Sequence, residues 1–293
     1  MAKVVSIINL KGGVGKTTTT VLLAEFLSLE YNKKVLVIDL DPQTNATVML
    51  IKQDRWKIAN DSNKTLKQMF LDKLNKEKKF DIKSSTIRNV SNIGNGIERL
   101  DLLPSSVDLI SIQDKLPSIG EKAEFPETSI MVLASNLTED IVNFYDYILI
   151  DCPPNLGTIT LNGIYISDYY LIPVIPDILS TYGIDQIIDR INKCALDIKR
   201  LNRRFNIKPL GMLITKYRVQ DEMHRTILKY LIEKGQNGAL PKVFNNKIKE
   251  TSRVSRIADL NTSYINLKQK YGYDNEIYDS LKNIAKEFID RAI

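Results

Sequence analysis

The sequence is short of the residues that mark secreted, metal-bound or membrane-spanning chains. It holds two cysteines, Cys152 and Cys194, and a single histidine, His224. Two cysteines are too few for a disulfide framework and lack metal-ligand spacing, so both are expected to be reduced, mostly buried thiols. No apolar run approaches the roughly 20 residues of a helical membrane span. The opening MAKVVSIINL reads as a strand running into a motif, not as a signal peptide. Pro/Gly/Ser linkers, internal repeats and low-complexity tails are absent too. What remains, 293 residues with 43% hydrophobic and 26% charged, is ordinary for a globular chain that buries a sizeable core. The expectation is one cytoplasmic domain over 1–293, with the polar, Lys/Asn-rich segment Lys52–Glu98 as peripheral helices and loops within it.

The net charge of +6 conceals an asymmetry. Residues 1–189 carry 19 Lys+Arg against 24 Asp+Glu, a net of −5, whereas residues 190–293 carry 22 against 11, a net of +11. A basic half suggests a polyanion partner, because neutralising phosphates releases counterions. The alternative is a solvated basic surface with no partner.

Short apolar runs alternate with helical patterns. Lys3–Asn9, Val35–Ile38, Leu100–Leu103, Tyr147–Ile150, Tyr170–Val174 and Leu210–Ile214 read as buried strands. Lys16–Glu30, with Val21, Leu22, Ala24 and Leu27 on one face, reads as the first helix. This alternation predicts an α/β fold: a doubly wound, mostly parallel sheet with helices on both faces.

Between the first strand and first helix stands LKGGVGKTT, Leu10 to Thr18. Gly15, Lys16 and Thr17 fit the end of a P-loop, but Leu10 occupies the place of its opening glycine. The chemistry survives that change. Gly12, Gly13 and Gly15 let backbone N–H groups approach phosphate oxygens, and the helix that follows offers its positive end. Lys16 is placed to meet the β and γ phosphates, Thr17 to ligate Mg²⁺, and Thr18 to help hold the α phosphate.

Three acids follow buried strands. VLVIDLDPQTNAT sets Asp39 and Asp41 after the second strand, and their alternation puts both on one side. One can orient the attacking water and the other serve the Mg²⁺ shell. YILIDCPPNLG ends a further strand in Asp151, a Walker B pattern that reaches Mg²⁺ through water. Cys152 beside it raises an iron–sulfur alternative, but Cys194 falls mid-helix among Asn192, Lys193 and Leu196.

Lys11 ahead of Gly12 and Gly13 resembles the deviant Walker A signature of the ParA partition ATPases, MinD, the nitrogenase iron protein and the ArsA pump. The segments LDLLPSSVDL, LIPVIPDILSTYGIDQI, PLGMLITKY and VFNNKIKETSRVSRIAD then follow in ParA/Soj-type order, so the resemblance covers nearly the whole chain. It implies that Lys11 crosses a dimer interface to the partner's phosphates and that ATP–Mg²⁺ closes a sandwich homodimer. It assigns Asp41 to water activation and Asp39 to the metal side. The family's proline after the isoleucine of the last segment is replaced by Lys249, leaving Thr215, Lys216 and Ile248 as adenine candidates together with the loop residue Val14 in the phosphate cradle.

The resemblance also implies nonspecific DNA binding through the C-terminal half, a ParB-like centromere-binding or adaptor partner, and a nucleoid-associated role in positioning plasmid, chromosome or protein cargo. Lys193–Arg256 holds 16 Lys+Arg and 5 Asp+Glu, with Arg218, Arg225, Lys247, Lys249, Arg253 and Arg256 as candidate DNA contacts. The P-loop begins within the first dozen residues, so a preceding helix-turn-helix for operator binding is not expected. The rival is a MinD-like ATPase working on a membrane surface. The final helical pattern, Tyr278–Ile293, has an apolar face, but its polar face mixes Asp279, Lys282, Lys286, Glu287, Asp290 and Arg291, which favours packing on the domain over a cationic membrane anchor. A small-molecule kinase or synthetase on the same loop is a third possibility. His224 is expected as a helix-face residue, neither ligand nor base.

Overall fold

The computed structural model describes residues 1–116, 129–251 and 262–293. Six strands, β1 (Lys3–Ile7), β2 (Val35–Asp39), β3 (Leu100–Leu103), β4 (Tyr147–Asp151), β5 (Tyr169–Val174) and β6 (Lys208–Ile214), form one sheet in the order β3-β2-β4-β1-β5-β6. Every pairing is parallel. A parallel sheet needs both faces covered, and β2 is accordingly buried at all five positions.

Successive residues supply opposite faces, so each strand feeds two cores. Val35, Val37 and Leu149 pack with Leu22, Leu23 and Phe26 of the helix Lys16–Glu30 and with Leu281, Ile284 and Phe288 of the last helix, Asn275–Arg291. Leu36, Ile38, Ile148 and Ile150 pack on the other side with Phe70, Ile159, Ile184 and Ile187, from helices Leu66–Asn75, Thr158–Ile166 and Ile178–Leu201. The apolar stripe of the last helix is therefore consumed within the fold: Leu281, Ile284, Ala285 and Phe288 are all buried. Among the described residues no helix is long and apolar enough to cross a membrane. The segment Lys52–Glu98 forms three helices, Gln53–Asp61, Leu66–Asn75 and Ile82–Ser85, with irregular connections.

Two features of the sheet place the site. The chain leaves β1 toward β2 on one side, while β5 and β6 extend the other, so the loop after β1 opens at the reversal of strand order, where parallel sheets bind ligands. The register levels the strand ends there. Ile7 pairs with Asp151, and Asp151 pairs with Asp39.

One buried ion pair locks the first helix from behind. Glu25 and Lys270, both with fully buried side chains, meet at 2.7 Å. Tyr271 Oη and Ser91 Oγ also donate to the Glu25 carboxylate, and Lys270 donates to Asn92 Oδ1. With its oxygens so satisfied the carboxylate can stay in the core.

Candidate functional site

The loop after β1 turns through left-handed backbone at Gly13 (φ 74°) and Gly15 (φ 87°), conformations that favour glycine, and Gly15 opens the helix Lys16–Glu30. Behind it Asn9 braces both sides: its Nδ2 donates to the Pro173 carbonyl at 2.7 Å and its Oδ1 accepts the Lys11 N–H at 2.9 Å. Thr215, just after β6, donates its hydroxyl to the Val14 carbonyl at 2.7 Å. A cleft of about 360 Å³ lies over the loop, lined by Gly12, Gly13, Gly15, Lys16, Thr17 and Thr18 on one wall and by Asp41, Gln43, Asn45, Val48, Met49, Pro154 and Lys216 around it.

Lys16 is buried under the loop, with Nζ 3.3 Å from the Lys11 carbonyl. Burial pushes its ammonium below the usual lysine range, while Asp151 and Asp41 pull it back up. Asp151, fully buried, accepts from Thr17 Oγ1 at 2.8 Å and from Thr20 Oγ1 at 3.2 Å. Burial raises its carboxyl to about 7, the Asp41 charge adds to that, and the Thr17 bond and Lys16 oppose it. The donors here are hydroxyl and carboxylate oxygens, the set a small hard cation takes. The two buried acids at adjacent strand ends, Asp39 and Asp151, disfavour each other's charged form, and a cation beside them would restore it. Thr17 and Asp151 therefore fit Mg²⁺.

The two aspartates after β2 differ. Asp41 lines the cleft, with Oδ1 accepting the Gln43 N–H at 2.9 Å. Asp39 does not line it. It is fully buried beneath, its Oδ2 held by the Thr47 N–H at 2.8 Å and hydroxyl at 2.7 Å, and its Oδ1 by the Asp41 N–H at 3.1 Å. Burial first, and then the neighbouring Asp151, drive its carboxyl well above the ordinary range. The expected alternation puts both acids at the strand end, but the turn into the helix Asn45–Leu50 covers Asp39 and leaves only Asp41 facing the cleft.

Lys11 is turned away from the cleft. Its Nζ sits 3.2 and 3.1 Å from the two carboxylate oxygens of Asp177 and 3.1 Å from Ser180 Oγ, with the side chain 40% exposed. Asp177 also caps the helix Ile178–Leu201 by accepting the Ser180 N–H. In sequence the Asp-x-x-Ser signature announces only the cap, so the pairing with Lys11 is missed. Asn9 and Thr20 are missed for the same reason: single polar residues flanking a motif carry no pattern.

Of the adenine candidates, Lys216 reaches the cleft and Thr215 braces the loop, but Ile248 is buried in the core and does not line the cleft. The Ile248 N–H lies 2.9 Å from the Ile214 carbonyl, and the Ile248 carbonyl accepts the Tyr217 N–H at 3.0 Å, so both of its backbone polar groups serve β6 and its continuation. Cys152 is likewise core, its thiol pushed up by burial. His224 sits on the buried side of the helix Glu222–Gln236, with Nδ1 accepting the Arg218 N–H at 3.1 Å.

The candidate DNA residues are divided by their partners. Arg218 pairs with Glu250, and Lys249 pairs with Glu276 at 2.5 Å. Arg225 is exposed, with Nη1 donating to the Val219 carbonyl, and Lys247 Nζ donates to the Asn245 carbonyl. Arg253 and Arg256 lie outside the described residues.

A parallel sheet with a glycine-rich loop opening its first helix, a lysine under that loop and acids on the neighbouring strands defines a P-loop nucleotide-binding fold. The family described as "AAA domain" matches residues 2–207. The sporulation initiation inhibitor protein Soj of Bacillus subtilis is 30% identical over 250 residues, 83% of this chain and 85% of Soj. The chain belongs to this family, as a ParA/Soj-type protein. Its fold is similar to that of apo McdA of Cyanothece (TM-score 0.71, 21% identity, 99% of each chain). It is also similar to a cobyrinic acid a,c-diamide synthase from Mycobacterium smegmatis solved with ADP and magnesium (TM-score 0.66, 26% identity, 89% of this chain and 91% of that one). The chain spans 54% of the putative replication protein A of Rhizobium rhizogenes, to which it is 28% identical over 229 residues.

Proposed function

We infer that this chain is an ATP- and Mg²⁺-dependent ATPase that dimerises on ATP, binds DNA nonspecifically through its basic C-terminal half, and positions a DNA or protein cargo under the control of a ParB-like partner. The observation that carries the reading is the division of labour between two loop lysines. Lys16 lies buried in the phosphate cradle, whereas Lys11 points outward from the same loop. One lysine suffices to hold phosphates within the chain; the other can serve a second copy once Asp177 releases it.

Each residue has a chemical task. Backbone N–H groups of Gly12, Gly13 and Gly15 and the helix end beyond them bind the phosphates. Lys16 neutralises the β and γ oxygens, and Thr18 and Lys216 border the rest of the nucleotide. Thr17, backed by Asp151 and more deeply by Asp39, would hold Mg²⁺, which would supply charge neutralisation to the bound phosphates. Asp41, the acid that faces the cleft, orients the attacking water.

The DNA reading rests on the net +11 of residues 190–293 and on the resemblance to Soj. The MinD-like membrane reading is disfavoured by the burial of the last helix's apolar face. The test is a mobility shift on two unrelated duplexes with ATP and with ADP, beside ATP turnover. ATP-dependent, sequence-indifferent binding is expected; equal binding in both nucleotides, or none at low salt, rejects the DNA reading. A small molecule phosphorylated in place of free phosphate, or one amidated with free phosphate released beside it, would support a kinase or a synthetase instead.

A further inference from the structure

Ser105 follows β3, outside the cleft, and all of its polar groups are engaged. Its Oγ donates to the Asp41 carbonyl at 2.7 Å, its N–H donates to Thr47 Oγ1 at 3.0 Å, and its carbonyl accepts from Trp56 Nε1 at 3.1 Å. The Thr47 hydroxyl donates to Asp39 Oδ2 at 2.7 Å, and Asp39 Oδ1 accepts the Asp41 N–H at 3.1 Å. These bonds close a ring that begins and ends on Asp41. Ser105, Thr47 and Asp39 are each fully buried, so water does not compete for their groups.

The ring holds Asp41 from both sides of its Cα, at the N–H through Asp39 and at the C=O through Ser105, whose bond adds to one from the Thr44 N–H at 2.9 Å. Fixing both peptide groups fixes the direction of the Cα–Cβ bond, and with it the aim of the carboxylate that faces the cleft. We propose that Ser105 is a positioning residue for ATP hydrolysis, acting through the Asp41 backbone to aim its carboxylate at the attacking water. This role rests on the water-orienting reading of Asp41. Ser106 provides an internal control: it sits on the same segment, donates to Asn60 Oδ1 and accepts the Asp108 N–H, and makes no bond to Asp41.

The experiment uses the full chain and measures Mg–ATP turnover, ATP affinity by calorimetry and thermal stability for Ser105→Ala, Ser106→Ala and Asp41→Ala. Ser105→Ala is expected to lower kcat about 5- to 10-fold, the worth of one net hydrogen bond in rate, with ATP affinity within about twofold. Ser106→Ala is expected to leave kcat unchanged. In the Asp41→Ala background, Ser105→Ala should cause no further loss, because the group it aims is gone. Ser105→Cys, nearly isosteric with a weaker donor, carries the same kcat test if Ser105→Ala does not fold. Unchanged turnover in Ser105→Ala, or a fall in turnover matched by a fall in ATP affinity, overturns the inference. Full turnover in Asp41→Ala refutes the water-orienting reading itself; an inactive Asp41→Ala beside a fully active Ser105→Ala rejects only the positioning role.

Discussion

The nucleotide cleft and the basic C-terminal half solve opposite problems. Beneath the cleft, charged groups are buried and over-determined: Asp39 has three hydrogen bonds on its two oxygens, and Asp151 has two hydroxyl donors. On the basic half, the described candidate DNA residues lie at or near the surface, and two are held by single neighbours, Arg218 by Glu250 and Lys249 by Glu276. Buried charge must be placed by its surroundings or it costs several kcal/mol, whereas exposed charge can be moved or neutralised at small cost. Substitutions should therefore act sharply and specifically at one end and in small increments at the other.

The largest effect is expected at Lys16. Lys16→Ala removes the buried cation of the cradle and should weaken ATP binding by about 100-fold or more, given ~1.5–3 kcal/mol for each charged hydrogen bond lost. Calorimetric titration with Mg–ATP checks it, and affinity retained within about tenfold would end the P-loop assignment.

Breaking the buried pair behind the first helix should cost stability on a similar scale. Glu25→Ala leaves the Lys270 ammonium in the core without its acid, a loss of about 3–5 kcal/mol, or roughly 5–8 °C in Tm for a chain of this size. Glu25→Leu with Lys270→Met should recover most of it. A thermal melt of the single and double variants decides; equal melting of Glu25→Ala and the native chain would show the pair to be stabilising nothing.

Lys11 belongs to the cleft by sequence but to the surface by environment, so it tests where the boundary runs. Lys11→Ala should leave ATP affinity within about twofold while abolishing ATP-dependent dimerisation on light scattering, since its ammonium contacts Asp177 and Ser180 and not the cradle. A dimer that persists with ATP would remove the cross-subunit role.

The same contrast explains what can be read from the sequence. The first helix, Lys16–Glu30, and β3, Leu100–Leu103, stand at their expected bounds, and the other strands differ by a residue or two at an end, because buried parallel strands and a glycine-opened helix leave strong apolar patterns. Asp41 and Asp151 are legible because an acid at the end of a buried strand has few other reasons to be there. The covering of Asp39 by the turn into Asn45–Leu50, the burial of Ile248 and the hold of Asp177 on Lys11 are not legible, since each depends on how the chain packs in three dimensions and leaves no local pattern. Ser105 shows the limit well: LPSS assigns no chemistry to its serines, and the bond to Asp41 spans 64 residues.

The smallest effects are expected among the basic residues, and there the ion pairs make a graded prediction. Each phosphate contact neutralised by a cation contributes about 0.9 to the slope of log K against log salt. Arg225 and Lys247 donate to backbone carbonyls, and neither is in an ion pair among the described residues. Arg218 and Lys249 would have to leave Glu250 and Glu276 before meeting phosphate. Replacing Arg225 and Lys247 together by alanine should therefore flatten the slope by up to about 2, whereas replacing Arg218 and Lys249 together should flatten it by less. ATP affinity should not change in either pair, because none of the four residues lines the cleft. Mobility shifts with ATP at three salt concentrations on two unrelated duplexes measure both slopes. If the paired residues prove the more important, DNA competes successfully for their acids, and the ion pairs seen here mark the binding surface in its resting arrangement instead of subtracting from it.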